Sequence, residues 1–419
     1  MPKSVLVVGQ GYVGLPLAMR ALAVGHRVVG FDTDQERVKR LAKGESYIED
    51  VSSSELTAAL ESDRYRPTDS ATDCAGFEIA VITVPTPLKE SVPDLSFIEA
   101  AAWIVGRHVE PGTCVVLEST TYPGTTTELL APILEEASGL VAGADFHLGY
   151  SPERIDPGNG KWGLANTPKV VSGIDEASLA AVESFYDTMV ERTVPVSGTG
   201  EAELVKLLEN TFRHVNIALV NELAMFAGDL GVDIWEAIAA ADTKPFGFMR
   251  FNPGPGVGGH CLPIDPSYLS WHAKRRVGTA FRFVELANDV NDNMPEYVVR
   301  RLMLSLDRRG KSVNGQRVLL LGLAYKPDTG DARQSPAITV AQKLFGLGAD
   351  VRAVDPHVRQ QVGSEWMRRV ALSEEEVAQA DAVVLLTDHT AFDYDMVTAK
   401  ASYILDTRRR LDGENTEHL

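Results

Sequence analysis

Short apolar runs rich in β-branched residues alternate with amphipathic helical stretches, and this alternation constrains the chain more than any other feature. The runs lie at Ser4–Val8, Arg27–Phe31, Glu78–Val84, Cys114–Glu118, Phe146–Tyr150 and Val170–Ser172. Helical spacing fills Leu15–Val24, Gln35–Ala42, Phe97–Arg107 and Thr126–Glu136. A pattern of this kind predicts βαβ units around a buried parallel sheet. From Gly200 to Leu230 the pattern changes to one long helix, with Leu204, Leu207, Leu208, Phe212, Val215, Leu219 and Leu223 at helical spacing. A second helical stretch follows Val232, and Pro245 to Pro266 reads as a Gly/Pro-rich loop before more helix through Leu304. Alternation resumes with Arg317–Leu323, Ala337–Phe345, Val351–Val354, Ala382–Leu386 and Tyr403–Leu405. The expected fold is α/β: two Rossmann-like doubly wound domains, 1–196 and 310–419, joined by a helical central domain, 197–309, with one long helix. The polar end, Gly413 to Leu419, is expected to fray.

Composition narrows the function classes. A formal charge of -18 argues against nucleic acid and anionic membranes as partners. Cys74, Cys114 and Cys261 are too few and scattered for a disulfide framework or a Cys-x-x-Cys metal site, so no metal is expected. No apolar run reaches the roughly 18–20 residues of a membrane helix. A strand pattern begins at Lys3 without a signal-peptide pattern ahead of it, and a cytoplasmic protein is expected.

Gly9-Gln10-Gly11-Tyr12-Val13-Gly14 follows a strand run and opens a helical one, and Asp32 ends the next run. Gly9 suits a tight turn, Gly11 the close approach of a pyrophosphate, and Gly14 the packing of helix on strand. The diphosphate would sit on the helix N-terminus and Asp32 would accept from a ribose hydroxyl. An acid with no basic residue beside it favours NAD over NADP; Arg37 lies further into the next helix.

Gly254-Pro255-Gly256-Val257-Gly258-Gly259-His260-Cys261-Leu262-Pro263-Ile264-Asp265 brings a thiol, a His and a carboxylate into a loop of close backbone approaches. Cys74 and Cys114 lie by apolar runs and read as small buried residues. Cys261 reads differently, because His260, backbone amides and a distant Lys could favour its thiolate. Lys206 and Asn210, four apart, share one face of the long helix.

With Val84-Pro85-Thr86-Pro87, Glu118-Ser119-Thr120, Ser151-Pro152-Glu153-Arg154 and Gly322-Leu323-Ala324-Tyr325-Lys326-Pro327-Asp328-Thr329, these motifs resemble the UDP-glucose/GDP-mannose dehydrogenase family over nearly the whole chain. The resemblance implies a four-electron oxidation of the C6 hydroxyl of a nucleotide sugar. It would pass through an aldehyde, a thiohemiacetal and a thioester on Cys261, with NAD reduced twice. It implies Lys206 as base and oxyanion donor, Asn210 as a further donor, Asp265 at the hydrolytic water, and Thr120 and Glu153 in water and proton handling. Gly9, Gly11, Tyr12, Val13, Gly14, Asp32, Arg37, Thr86, Ser119, Thr120 and Arg333 are the cofactor contacts it implies. Glu153, Arg154, Lys206, Asn210, Arg250, Gly258 and Lys326 are those for substrate.

Glu153-Arg154-Ile155-Asp156-Pro157-Gly158-Asn159 and Gly258-Gly259-His260-Cys261 depart from the UDP-glucose enzymes and look more like the UDP-N-acetylhexosamine branch. UDP-N-acetylglucosamine or UDP-N-acetylmannosamine is therefore the first expectation, with UDP-glucose or TDP-glucose as the alternative. Arg250 falls where that branch often has an apolar residue. Enzymes of this kind serve polysaccharide or glycosylated natural-product pathways. A catalytically silent sensor would have no need of Cys261, Lys206, Asn210 and Asp265, and a two-electron dehydrogenase no use for the thiol. The long apolar helix also implies a homodimer.

Overall fold

A computed structural model describes the 419-residue chain except Met1, Glu49, Glu90, Ser91, Asp156, Pro157, Gly158, Gly160, His260, Gln360, Gln361 and Ser364. The side chains of Cys261 and Pro263 also lie outside the described residues. The chain forms two compact units, Met1–Glu209 and Asn210–Leu419.

The first unit is built on an eight-stranded sheet. Its strands are β1 (Ser4–Val8), β2 (Arg27–Phe31), β3 (Tyr65–Thr68), β4 (Ile79–Ile82), β5 (Cys114–Leu117), β6 (His147–Tyr150), β7 (Lys169–Gly173) and β8 (Thr193–Pro195). They lie in the order β8-β7-β6-β5-β4-β1-β2-β3. Strand order reverses at β1, which pairs in parallel with both β2 and β4 and so creates the crevice where doubly wound sheets bind ligands. Period-two burial explains the runs read from the sequence. Val5, Val7, Ile79 and Val81 enter the core on one face, while Leu6, Val8, Ala80 and Ile82 enter the other. Helices α1 (Gly14–Ala23) and α2 (Gln35–Ala42) follow β1 and β2.

Two expectations need correction here. β6 and β7 pair antiparallel, so the sheet is mixed rather than wholly parallel. Thr126–Glu136 is not one regular helix: a π-helical turn, Thr126–Leu130, precedes an α-helix, Ala131–Ser138. Pro132 lies in the first turn of that helix and has no N–H to extend the regular ladder backwards.

The long helix is α3 (Thr199–Leu230), followed by α4 (Ile234–Asp242). In the second unit, α5 (Cys261–Val277) begins within the stretch expected to be loop. Pro263 falls in its first turn, where the missing N–H has no partner to lose, although Pro266 lies inside the helix. α6 (Arg282–Arg308) leads to a six-stranded sheet. Its strands are β9 (Arg317–Leu321), β10 (Asp350–Val354), β11 (Arg368–Arg369), β12 (Ala382–Leu385), β13 (Ile404–Asp406) and β14 (Thr416–His418). The order is β11-β10-β9-β12-β13-β14, with every pairing parallel and a second reversal at β9. α7 (Pro336–Gly346) covers one face.

The expected fraying of Gly413–Leu419 is wrong. β14 pairs with β13, and Leu419 is buried. Glu417 pairs with Arg308 and Arg309, and the Trp235 indole donates to the Leu419 carbonyl. Polarity in this segment serves fixed partners.

Candidate functional site

In the first unit, the Gly9–Gly14 turn is shaped by close approach. Gly9 has φ +94°, and a Cβ there would lie 2.9 Å from the Thr83 carbonyl oxygen. A Cβ on Gly14 would lie 1.8 Å from the Gly9 oxygen, while Gly11 opens onto free space. No side chain caps α1, whereas Asp34 caps α2 by accepting from the Glu36 and Arg37 N–H groups. Leu15 N and Leu17 N donate to the Gly11 and Val13 carbonyls and Pro16 has no N–H, so α1 offers an anion chiefly the positive end of its dipole. Asp32 is buried; Oδ2 accepts from Gln10 N at 2.8 Å and Oδ1 from Asp34 N at 2.9 Å. Arg37 corrects the sequence reading: its Nη1 lies 2.7 Å from Asp32 Oδ2. One helical turn brings the guanidinium back to the strand end, so the acid does have a basic neighbour. A carboxylate has further lone pairs for a ribose hydroxyl. Thr86 and Ser119 are buried beyond the ends of β4 and β5, Ser119 donating to the Val84 carbonyl, and Thr120 is half-buried. Tyr12 is exposed and Val13 half-buried. Open space at Gly11, the positive end of α1 and a buried acid fit a dinucleotide.

Lys206, on α3, is buried and donates to the Glu153 main-chain carbonyl. The Glu153 side chain is buried and accepts from Ile155 N. Behind it stands a residue that sequence reasoning missed. Lys169, 3% exposed at the start of β7, lies 3.0 Å from Glu118 and 3.7 Å from Glu153. The Tyr186 hydroxyl donates to Glu118. Burial pushes the Glu118 carboxyl above its usual range, with Lys169 opposing and Glu153 adding to the rise. A lysine opening the apolar run Lys169-Val170-Val171 was the available signal. Arg154 is held by the Pro168 carbonyl at 2.7 Å and by Glu209 at 2.5 Å.

In the second unit, Asn210 Nδ2 donates to Oδ2 of Asp265 at 2.6 Å. Asp265 is 3% exposed and lies on α5, four residues beyond Cys261, the residue that opens the helix. His260 and the Cys261 side chain lie outside the described residues. The preceding loop is tightly held. Gly254 N donates to Asn221 Oδ1 at 2.9 Å, and Gly259 N to the Arg333 carbonyl at 3.2 Å. Asn221, fully buried on α3, was also missed; a lone amide among apolar residues was its only trace. Gly258 is buried, and a Cβ there would meet Gln334 O, Pro336 Cδ and Tyr325 Cβ, each at 2.8 Å. Gly259 has φ +87°, and a Cβ there would lie 2.9 Å from the Tyr325 ring. The cysteine loop is therefore seated on the segment that carries Lys326. Lys326 is half-buried, with Nζ 5.9 Å from the Tyr325 ring centre. Arg333 is exposed and paired with Asp331 at 2.7 Å, and Arg250 is exposed and donates to Asn252. Cys74 and Cys114 are buried as expected, their thiols pushed up to about 11 and about 12 by burial. Among the described residues, no helix is long and apolar enough to cross a membrane.

Three models of the UDP-glucose/GDP-mannose dehydrogenase family match the chain: the NAD binding domain over residues 3–190, the central domain over 200–293 and the UDP binding domain over 319–413. The chain is 37% identical over 389 residues to a UDP-N-acetyl-D-mannosamine dehydrogenase of Pyrococcus horikoshii, covering 93% of this chain and 90% of the relative. It is 36% identical over 391 residues to a UDP-N-acetyl-D-glucosamine 6-dehydrogenase of Pseudomonas aeruginosa, covering 93% and 91%. The solved structure of a UDP-D-ManNAc dehydrogenase from Pyrococcus horikoshii superposes with a TM-score of 0.88 at 33% identity, over 99% of this chain and 98% of that one.

Proposed function

Because this chain belongs to the UDP-glucose/GDP-mannose dehydrogenase family and is an NAD-dependent nucleotide-sugar dehydrogenase, we propose that it oxidises the C6 hydroxyl of a UDP-N-acetylhexosamine to the carboxylate through a covalent intermediate on Cys261. The observation that carries this reading is the Asn210–Asp265 hydrogen bond of 2.6 Å, one turn along α5 from Cys261. It fixes a buried carboxylate and an amide beside the residue assigned as nucleophile.

When bound, NAD supplies the electron acceptor for both oxidations. The chain's own residues do the rest. The Cys261 sulfur adds to the aldehyde carbon, and the carbonyl oxygen takes up the proton, giving a thiohemiacetal. Oxidation of that adduct leaves a thioester, and water then breaks the C–S bond, releasing the carboxylate and returning the thiol. Cys261 opens a helix, where the dipole favours a thiolate. Lys206 takes the alcohol proton and, with Asn210, donates to the oxygen that gains charge. Asp265 positions the hydrolytic water, and Thr120 and Glu153 handle its protons. Lys326 meets the sugar or diphosphate, with Arg154, Arg250 and Gly258 assigned to the same ligand. Arg333 is assigned to the cofactor.

The reading divides the chain into an NAD-binding part, 1–196, a helical part, 197–309, and a nucleotide-sugar-binding part, 310–419. It includes a homodimer across α3. Phe212, Leu219, Leu223, Phe226 and Leu230 are exposed along that helix, and such a contiguous apolar stripe supports an interface with a second copy. The relatives' names support an N-acetylated sugar. The test is NADH formation with UDP-N-acetylglucosamine, UDP-N-acetylmannosamine, UDP-glucose and TDP-glucose at equal concentration. Turnover is expected with one of the first two; turnover confined to the glucose nucleotides would refute the sugar assignment.

A further inference from the structure

Asp355, buried just beyond β10, gathers five hydrogen bonds. Oδ2 accepts from Leu323 N at 2.7 Å, Ala324 N at 2.9 Å and His389 Nε2 at 2.9 Å. Oδ1 accepts from His357 N and Val358 N, each at 2.9 Å. Burial alone would raise this carboxyl; its donors, led by His389, outweigh burial and hold it well below the usual range. His389 is fully buried, and its other nitrogen, Nδ1, accepts from Asp328 N at 3.0 Å. Asp328 has φ +55°, a left-handed conformation that costs a non-glycine residue energy and needs fixing by its surroundings. Its Oδ1 accepts from Thr390 N at 2.8 Å and Thr390 Oγ1 at 3.0 Å. Thr387 Oγ1 donates to the Ala324 carbonyl at 2.6 Å.

The segment after β9 is thus tied down on both sides of Tyr325 and Lys326, at Leu323–Ala324 through Asp355 and at Asp328 through His389. The Tyr325 ring in turn supports Gly259 of the cysteine loop. One imidazole links the two ends.

Asp328, His357 and His389 offer ligand atoms within 4.8 Å of one another, a spacing that a metal could use. Both nitrogens of His389 are engaged, however, so the arrangement is that of a clamp.

We propose that the Asp355–His389–Asp328 relay positions Tyr325 and Lys326 for the diphosphate of the nucleotide sugar, which makes His389 a positioning residue for substrate affinity. The proposal rests on the reading that Lys326 meets that ligand.

Calorimetric titration of the full-length protein with uridine diphosphate, and separately with NAD, tests it. His389→Gln can keep the donor to Asp355 but loses the acceptor for Asp328. His389→Asn keeps an acceptor near Nδ1 but is too short to reach Asp355. Asp328→Gly suits the left-handed backbone and removes the carboxylate that accepts from Thr390 and stands 3.6 Å from His357 and 3.9 Å from His389, at an exposed position where folding is not at stake. Each is expected to weaken uridine diphosphate binding about fivefold to tenfold, the worth of one buried hydrogen bond, while NAD affinity stays within about twofold. If the wild-type protein binds uridine diphosphate and all three variants bind it equally well, the relay has no such role. An equal loss of NAD affinity would also overturn it, by pointing to general damage. Wild-type protein that binds no uridine diphosphate would overturn the Lys326 reading beneath it.

Discussion

The Asn210 amide donates to Oδ2 of Asp265 at 2.6 Å, joining α3 to α5 one turn beyond Cys261. An amide so placed holds the carboxylate in one orientation. Asp265→Asn keeps the shape but removes the charge and replaces an acceptor by a donor. It is expected to lower kcat about 100-fold or more, with NAD affinity unchanged. Steady-state kinetics together with cofactor titration would show it.

Lys169 is the cation that two buried carboxyl groups, Glu118 and Glu153, share. Lys169→Met leaves them without their cation and is expected to destabilise the protein by about 3 kcal/mol, the scale for breaking a buried ion pair from one side. Denaturant unfolding measures this. Lys169→Arg should recover part of the loss.

Burial pushes Glu203 from its ordinary 4.5 up to about 7, even though Gly124 N, Thr126 N and Thr126 Oγ1 all donate to it. Within that window the folded state binds more protons than the unfolded chain. This group's contribution is therefore fully present below about pH 4.5 and is lost as pH rises through about 7, a span of about 3 kcal/mol. Unfolding free energies measured from pH 5 to 8 should show this slope relative to Glu203→Gln, in which it disappears. Parallel curves would contradict it.

Much of the fold was legible because buried strands need apolar side chains on both faces. Val5–Val8 and Leu319–Leu321 announce themselves in any window. β14 was not legible, since Glu417 gains its place from Arg308 and Arg309, more than a hundred positions away. Arg37 was misjudged for a related reason: distance along the chain concealed one helical turn that returns its guanidinium to Asp32. Cys261, Lys206, Asn210 and Asp265 stood out as motifs. Lys169, Asn221, Asp355 and His389 did not, because each matters only through partners that folding supplies.

The apolar stripe on α3 predicts assembly. Leu219→Glu combined with Leu223→Glu places two charges on its exposed face. Light scattering is expected to show a dimer for the wild-type protein and a shift toward monomer for the variant. A wild-type monomer would refute the interface.

The central claim is the covalent role of Cys261, and the yield of NADH per sugar tests it most directly. With limiting UDP-N-acetylhexosamine, the wild-type protein should form two equivalents of NADH and one of uronate, whereas Cys261→Ser should bind the sugar but make no uronate in steady state. One equivalent from the wild-type protein, or two from Cys261→Ser at near wild-type rate, would contradict the account.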